Sequence, residues 1–175
     1  MKKLLVVVLL VLAVPCLANT QAQPPKPGPE VRRLGYFVGT WKVDSETGAD
    51  SKRKYGATMV CEWFPGGFSV VCRSDGAGTQ GPTNALYIVS YNTVDKAYTM
   101  YAIDRTSPAP RAADKMTVEG NTWVSESETT VGGKAAKVRH VIVELSPSAW
   151  SHKIELSVDG GPWTPVTDLK GAKVK

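Results

Sequence analysis

Histidine and cysteine are scarce in this chain, and that scarcity removes much of the chemistry a small protein can host. Two of its 175 residues are histidine and three are cysteine, and no spacing among them reads as a zinc site. There is no Gly-x-Ser-x-Gly elbow, no phosphate-cradling Walker loop and no His-Glu-x-x-His helix. No nucleotide or other cofactor signature is present, so no cofactor, metal or catalytic residue is assigned. Also missing is any window of a dozen residues with sustained helical periodicity. Beyond the N-terminus, no apolar run is long enough to cross a bilayer, so stable membrane insertion of the mature chain is not expected. Basic residues outnumber acidic ones, 21 to 16, yet they do not cluster. Arg32-Arg33, Lys52-Arg53-Lys54 and the C-terminal Lys170, Lys173 and Lys175 stand apart. A nucleic-acid partner would need a contiguous basic stripe, and none is there.

What is present begins with a targeting layout. Lys2 and Lys3 precede the apolar run Leu4–Ala13, Pro15 ends it, and small residues follow. That is the order of a secretory signal peptide, assigned to residues 1–22 with cleavage after Ala22 favoured over cleavage after Ala18. Export to a periplasm or to the extracellular space follows. Cys16 lies in the removed segment; lipidation there is the rival reading. The formal charge of +5 falls to +3 without Lys2 and Lys3. Residues 23–29 are proline-rich and read as an extended linker. Pro29 suits the first position of a short helix, Glu30–Leu34, which Gly35 ends.

The remainder, residues 30–175, reads as one all-β domain. Runs rich in Val, Ile, Thr, Tyr and Trp alternate with turn residues. Strands are expected near 37–45, 53–64, 67–74, 85–92, 97–105, 113–119, 122–130, 134–145, 149–158 and 162–169. Glycine-containing pairs such as Gly66-Gly67 and Gly132-Gly133 supply the turns. Longer loops are expected at 76–84 and 106–111. Eight to ten strands in simple succession form an antiparallel up-and-down sheet, which loses its exposed edges by closing into a barrel. A β-sandwich is the alternative.

Two hairpins make sharper predictions. Pairing Phe64 with Ser69 places Cys61 opposite Cys72 on a face shared with Met59, Trp63, Phe68 and Val70, so a disulfide is expected there. Farther on, pairing Leu145 with Trp150 gives a face holding Val141, Val143, Leu145, Trp150, His152 and Ile154. His140, Ile142, Glu144, Lys153 and Glu155 take the other face. On this register His152 points inward, His140 points outward opposite Glu155, and the two histidines cannot share a metal. A two-residue turn at Gly132-Gly133 instead puts Trp123 on the face of Ile142. The two registers conflict unless a β-bulge intervenes; the 138–158 hairpin has the clearer alternation.

Leu34-Gly-Tyr-Phe-Val-Gly39-Thr-Trp41 resembles the opening of the calycins, the lipocalin and fatty-acid-binding superfamily. The stretch from Tyr87 through Tyr91-Asn to Tyr98 resembles a narrower group, exported bacterial domains of unknown function that begin with Gly-x-Trp. The resemblance covers most of residues 30–170. It implies a lipocalin-like barrel, a structural role for Gly39 and Trp41, and a small apolar or amphipathic ligand. In lipocalins an arginine on a late strand covers that tryptophan; here the last strand carries Lys170 and Lys173. Trp63, Tyr87, Tyr101, Trp150 and His152 are the candidate ligand-binding residues, with His152 as the polar anchor. A core histidine bonded to a carbonyl, or an axial haem ligand, are other readings of His152. The alternatives to a carrier are a hydrolase or isomerase using His152 and a filled barrel acting as a protein-interaction module. Oligomeric state is not legible.

Overall fold

The computed structural model describes residues 26–46, 55–79, 81–105 and 114–174. The signal-peptide reading, Cys16, most of the proline-rich linker and the loop expected at 106–111 lie outside them. The chain enters with helix α1 (Pro29–Arg33) and a 3₁₀ turn (Leu34–Tyr36). Ten strands follow: β1 (Gly39–Glu46), β2 (Tyr55–Trp63), β3 (Ser69–Gly78), β4 (Gly81–Asn92) and β5 (Ala97–Asp104), then β6 (Asp114–Glu119), β7 (Thr122–Val131), β8 (Lys134–Ser146), β9 (Ala149–Val158) and β10 (Thr164–Lys173). Every strand pairs antiparallel with its sequence neighbours, and β1 pairs with β10, which closes the barrel. A sandwich is thereby excluded.

Small residues at 76–78 do not make the long loop expected from their composition. Gly76, Ala77 and Gly78 extend β3 and pair with Thr83, Pro82 and Gly81 of β4. Gly76 is needed because a Cβ there would collide with the Gly56 carbonyl and with Ala57 on β2.

One end of the barrel is sealed by aromatic packing. Trp41 is fully buried, donates its indole N–H to the Phe37 carbonyl at 2.7 Å, and stacks between Tyr36 and Trp150. Lys173 lies over the Trp41 ring, its Nζ 4.7 Å from the centroid. Gly39 has φ +127°, a backbone that side chains rarely adopt, and a Cβ there would press on the same lysine stem. Trp123 joins the plug through Phe37 and Tyr98, and donates to Glu144, which also pairs with Arg33 of α1 at 2.9 Å. The opposite rim carries the ends of β1, β3, β5, β7 and β9.

The hairpin β2–β3 has the expected register, with Cys61 opposite Cys72 and the sulfurs bonded. The hairpin β8–β9 does not. Ser146 pairs with Ala149 near the turn, but a bulge at Glu144–Ser146 shifts the ladder, so that Ile142 opposes His152. The inner face of β9 is the expected one; that of β8 is reversed. Ten regular pairs between β7 and β8, running out to the tight turn at Gly132-Gly133, fix β8 with Trp123 opposite Ile142. The bulge absorbs the mismatch at the turn, where Leu145 is exposed. His140 therefore points inward, and its expected partner Glu155 bonds Arg139 instead, at 2.7 and 2.9 Å.

Candidate functional site

Above the plug the barrel is not filled. A chamber of about 200 Å³ remains. Its walls are mostly apolar: Val43, Met59, Val89, Met100, Met116 and Ile154 contribute, together with Phe37 and Trp123 from the plug. Alternation along antiparallel strands puts these side chains inside, since every second residue faces the axis. Toward the rim, Tyr55, Ser74, Tyr87 and Leu169 also line a wider vestibule of about 520 Å³ that includes Thr83, Asp104 and Arg105. The chamber thus communicates with a polar mouth.

The polar groups of the chamber gather on one wall. Ser125 on β7 faces His140 across the ladder with β8, and His152 stands on β9 beyond it. His140 Nδ1 lies 3.0 Å from His152 Nε2, with the rings tilted by 36°. Such a bond between neutral imidazoles needs one ring to donate and the other to accept. By accessible area His152 is half-buried, lining the chamber on one side and an outer hollow with Lys153 and Asp168 on the other. Desolvation is still the larger cause that, with His140 beside it, lowers its pKa to about 3. At neutral pH His152 is uncharged. Ser125 is 3% exposed, and its Oγ has no hydrogen-bond partner among the described residues. Trp150 Nε1 is likewise buried without a partner. On the far wall Tyr55 and Ser74 share a long hydroxyl contact of 3.4 Å.

The structure brings together three of the five expected ligand-binding residues, Tyr87, Trp150 and His152, at the chamber. Trp63 and Tyr101 are not there. Trp63 sits two residues beyond Cys61, past the sealed end, where it packs on Gly35 and remains 37% exposed. Tyr101 alternates with the inward residues Met100 and Ala102, and so faces outward, 49% exposed. The expected outward His140 is corrected to an inward chamber residue, for the reason of register given above. Ser125, Met100 and Met116 had no distinguishing local signal. Ser125 and His140 were reachable by one inference, from the turn at Gly132-Gly133 carried along β7 and β8. Among the described residues, no three His, Cys, Asp or Glu side chains are grouped to hold a metal ion. None of the described helices is long and apolar enough to cross a membrane.

Comparison with known proteins bears on the fold. A family model described as a protein of unknown function (DUF1579) matches residues 26–171. No curated protein matches the chain. Among solved structures, the S-type phycobiliprotein lyase CPES of Guillardia theta superposes with a TM-score of 0.53 at 13% identity, over 82% of this chain and 92% of that one. A redesigned β-barrel bound to DFHBI gives a TM-score of 0.43 at 13% identity, over 79% of this chain and 99% of the other. The likeness to the lyase is one of fold alone.

Proposed function

The chain belongs to the DUF1579 family of proteins of unknown function, and we propose that its barrel binds a small apolar or amphipathic molecule inside the chamber. One observation carries the reading: a closed barrel with a sealed end keeps an unfilled, mainly apolar interior with a few convergent polar groups on one wall. An engineered apolar cavity of about 150 Å³ is large enough to bind benzene. A chamber of about 200 Å³ suits one ring with a short substituent. The Gly39-x-Trp41 plug and the lysine over it support kinship with the calycins. A filled interaction module would have left no such space.

Export belongs to the same proposal. Residues 1–22 act as a cleaved signal, residues 23–29 as a linker, and the barrel works in a periplasm or outside the cell. The Cys61–Cys72 disulfide supports an oxidising compartment. A hydrolytic reading draws on Ser125, His140 and His152, which stand in the order nucleophile, base and orienter. It needs Ser125 Oγ bonded to an imidazole, and Ser125 Oγ bonds neither ring.

Native mass spectrometry of the protein purified from its host tests the proposal. A chain beginning at Gln23, two hydrogens below its reduced mass, with an extra mass that leaves on denaturation, is the expected result. In parallel, 4-ethylphenol titrated into the protein should shift the indole N–H resonances of Trp123 and Trp150 saturably at one equivalent. A bare protein whose chamber resonances ignore millimolar ethylbenzene and 4-ethylphenol would end the carrier reading.

A further inference from the structure

Resting on the reading of the chamber as a ligand site, we infer that it selects an uncharged one-ring molecule bearing a hydroxyl or carbonyl group, held by Ser125 and the His140–His152 pair, and that it refuses carboxylates of the same size. Carriers built for fatty or aromatic acids need a cation where the carboxylate comes to rest. Among the described residues that line this chamber, none is lysine, arginine, aspartate or glutamate. Arg139, the basic residue next in sequence to His140, points to the outer face, where it holds Glu155 and covers Trp163 with its guanidinium 4.3 Å from the ring centroid. Lys173 is engaged below, over Trp41. A carboxylate in the chamber would be a buried anion without a counter-charge. His152 does not supply one readily, because burial lowers its pKa far below physiological pH.

The groups that are present suit a neutral partner. Ser125 Oγ is buried on the chamber wall with no partner among the described residues, so it has a hydroxyl hydrogen to donate and lone pairs to accept. In the histidine pair, whichever ring donates across the 3.0 Å bond, the far nitrogen Nδ1 of His152 takes the complementary role. If Nε2 accepts, Nδ1 carries the proton; if Nε2 donates, Nδ1 offers a lone pair. The wall therefore adapts to a ligand hydroxyl, which donates and accepts, and to a carbonyl, which only accepts. Val89 and Met100, on β4 and β5 across the barrel, receive the ring. Chamber volume limits that ring to one cycle with a short tail directed at Tyr55 and Tyr87 near the rim.

The test is a matched ligand series on the mature barrel at pH 7.5: 4-ethylphenol, ethylbenzene, 4-ethylbenzoate and 2-phenylethylammonium, by calorimetry and by the Trp123 and Trp150 indole resonances. 4-Ethylphenol is expected to bind about tenfold more tightly than ethylbenzene, the difference one well-made hydrogen bond supplies. Both ions are expected to bind at least about a hundredfold more weakly than the phenol, given the cost of burying a lone charge. Ser125→Ala should narrow the phenol's advantage over ethylbenzene to about threefold, with the His152 nitrogen remaining as a partner. Tight binding of 4-ethylbenzoate would overturn the inference while leaving a ligand site in place. Equal affinity for the phenol and ethylbenzene would overturn the polar anchor. No binding by any of the four would take down the ligand-site reading itself. Should Ser125→Ala fail to fold, the wild-type series alone still decides.

Discussion

Gly171 lies opposite Trp150 across β9 and β10, and a methyl group on its α-carbon would fall inside the indole ring. The glycine is buried and has ordinary backbone angles, so its role is to leave room for the indole rather than to make a turn. Trp150 in turn meets both Trp41 of the plug and His152 of the polar wall. Gly171→Ala should therefore cost about 1–3 kcal/mol, the range for overfilling a packed core. It should also move the Trp150 fluorescence, because the ring has to tilt toward the chamber. Urea denaturation with emission spectra checks both effects. A loss below about 0.5 kcal/mol, typical of a neutral surface change, would mean the ring yields freely and does not brace the wall. Nothing in the local sequence marks Gly171: lysine and alanine flank it, and its partner Trp150 lies 21 residues earlier. Only the β9–β10 register reveals it.

At the scale of elements, the β2–β3 hairpin shows what sequence can deliver. Alternation, a glycine turn and two cysteines each fixed the same register for Cys61 and Cys72, and the ladder has that register. The disulfide closes a short loop between strands already paired. Replacing both cysteines by serine should cost about 3 kcal/mol on the chain-entropy model, acting through a freer unfolded chain. Chemical denaturation of the double variant measures it, and a cost near zero would mean the hairpin is already formed in the unfolded ensemble. The β8–β9 hairpin shows the limit. Its alternation is equally clean, because Val141, Val143 and Leu145 are as apolar as a core face. They face outward all the same, since the long β7–β8 ladder outweighs the short stretch beyond the bulge. Strand positions and barrel closure were thus legible from local pattern. The face of His140 depended on two ladders meeting at one irregular residue, which local pattern does not encode. The same limit explains Tyr101 and Trp63: aromatic character predicts burial, but parity along β5 and distance past the end of β2 decided their exposure.

The whole molecule is a barrel closed at the bottom by aromatic packing and neutral in its chamber, and its response to acid follows from that. An unfolded chain binds a proton at His152 with the ordinary histidine pKa near 6.5, whereas the folded barrel keeps that ring neutral down to about 3. Between those values the unfolded state holds one more proton than the folded state. Stability from this group is complete above pH 6.5 and is lost as pH falls toward 3, at up to about 1.4 kcal/mol per pH unit. The groups facing His152 do not oppose the trend. His140 is the nearest, and a proton on it would add a like charge. Asp104 and Arg105 stand in the vestibule rather than beside the ring. Urea unfolding from pH 7.5 to pH 4.5 should show the fall, and His152→Gln should flatten it by about one proton. Surface carboxylates titrate in both proteins alike, so the difference between the two slopes isolates His152. Parallel slopes would mean that water or a mobile neighbour solvates His152 in the native state, and that the chamber is wetter than its lining implies. A chamber wet enough to protonate His152 would also admit a carboxylate, so the acid profile and the ligand series have to agree.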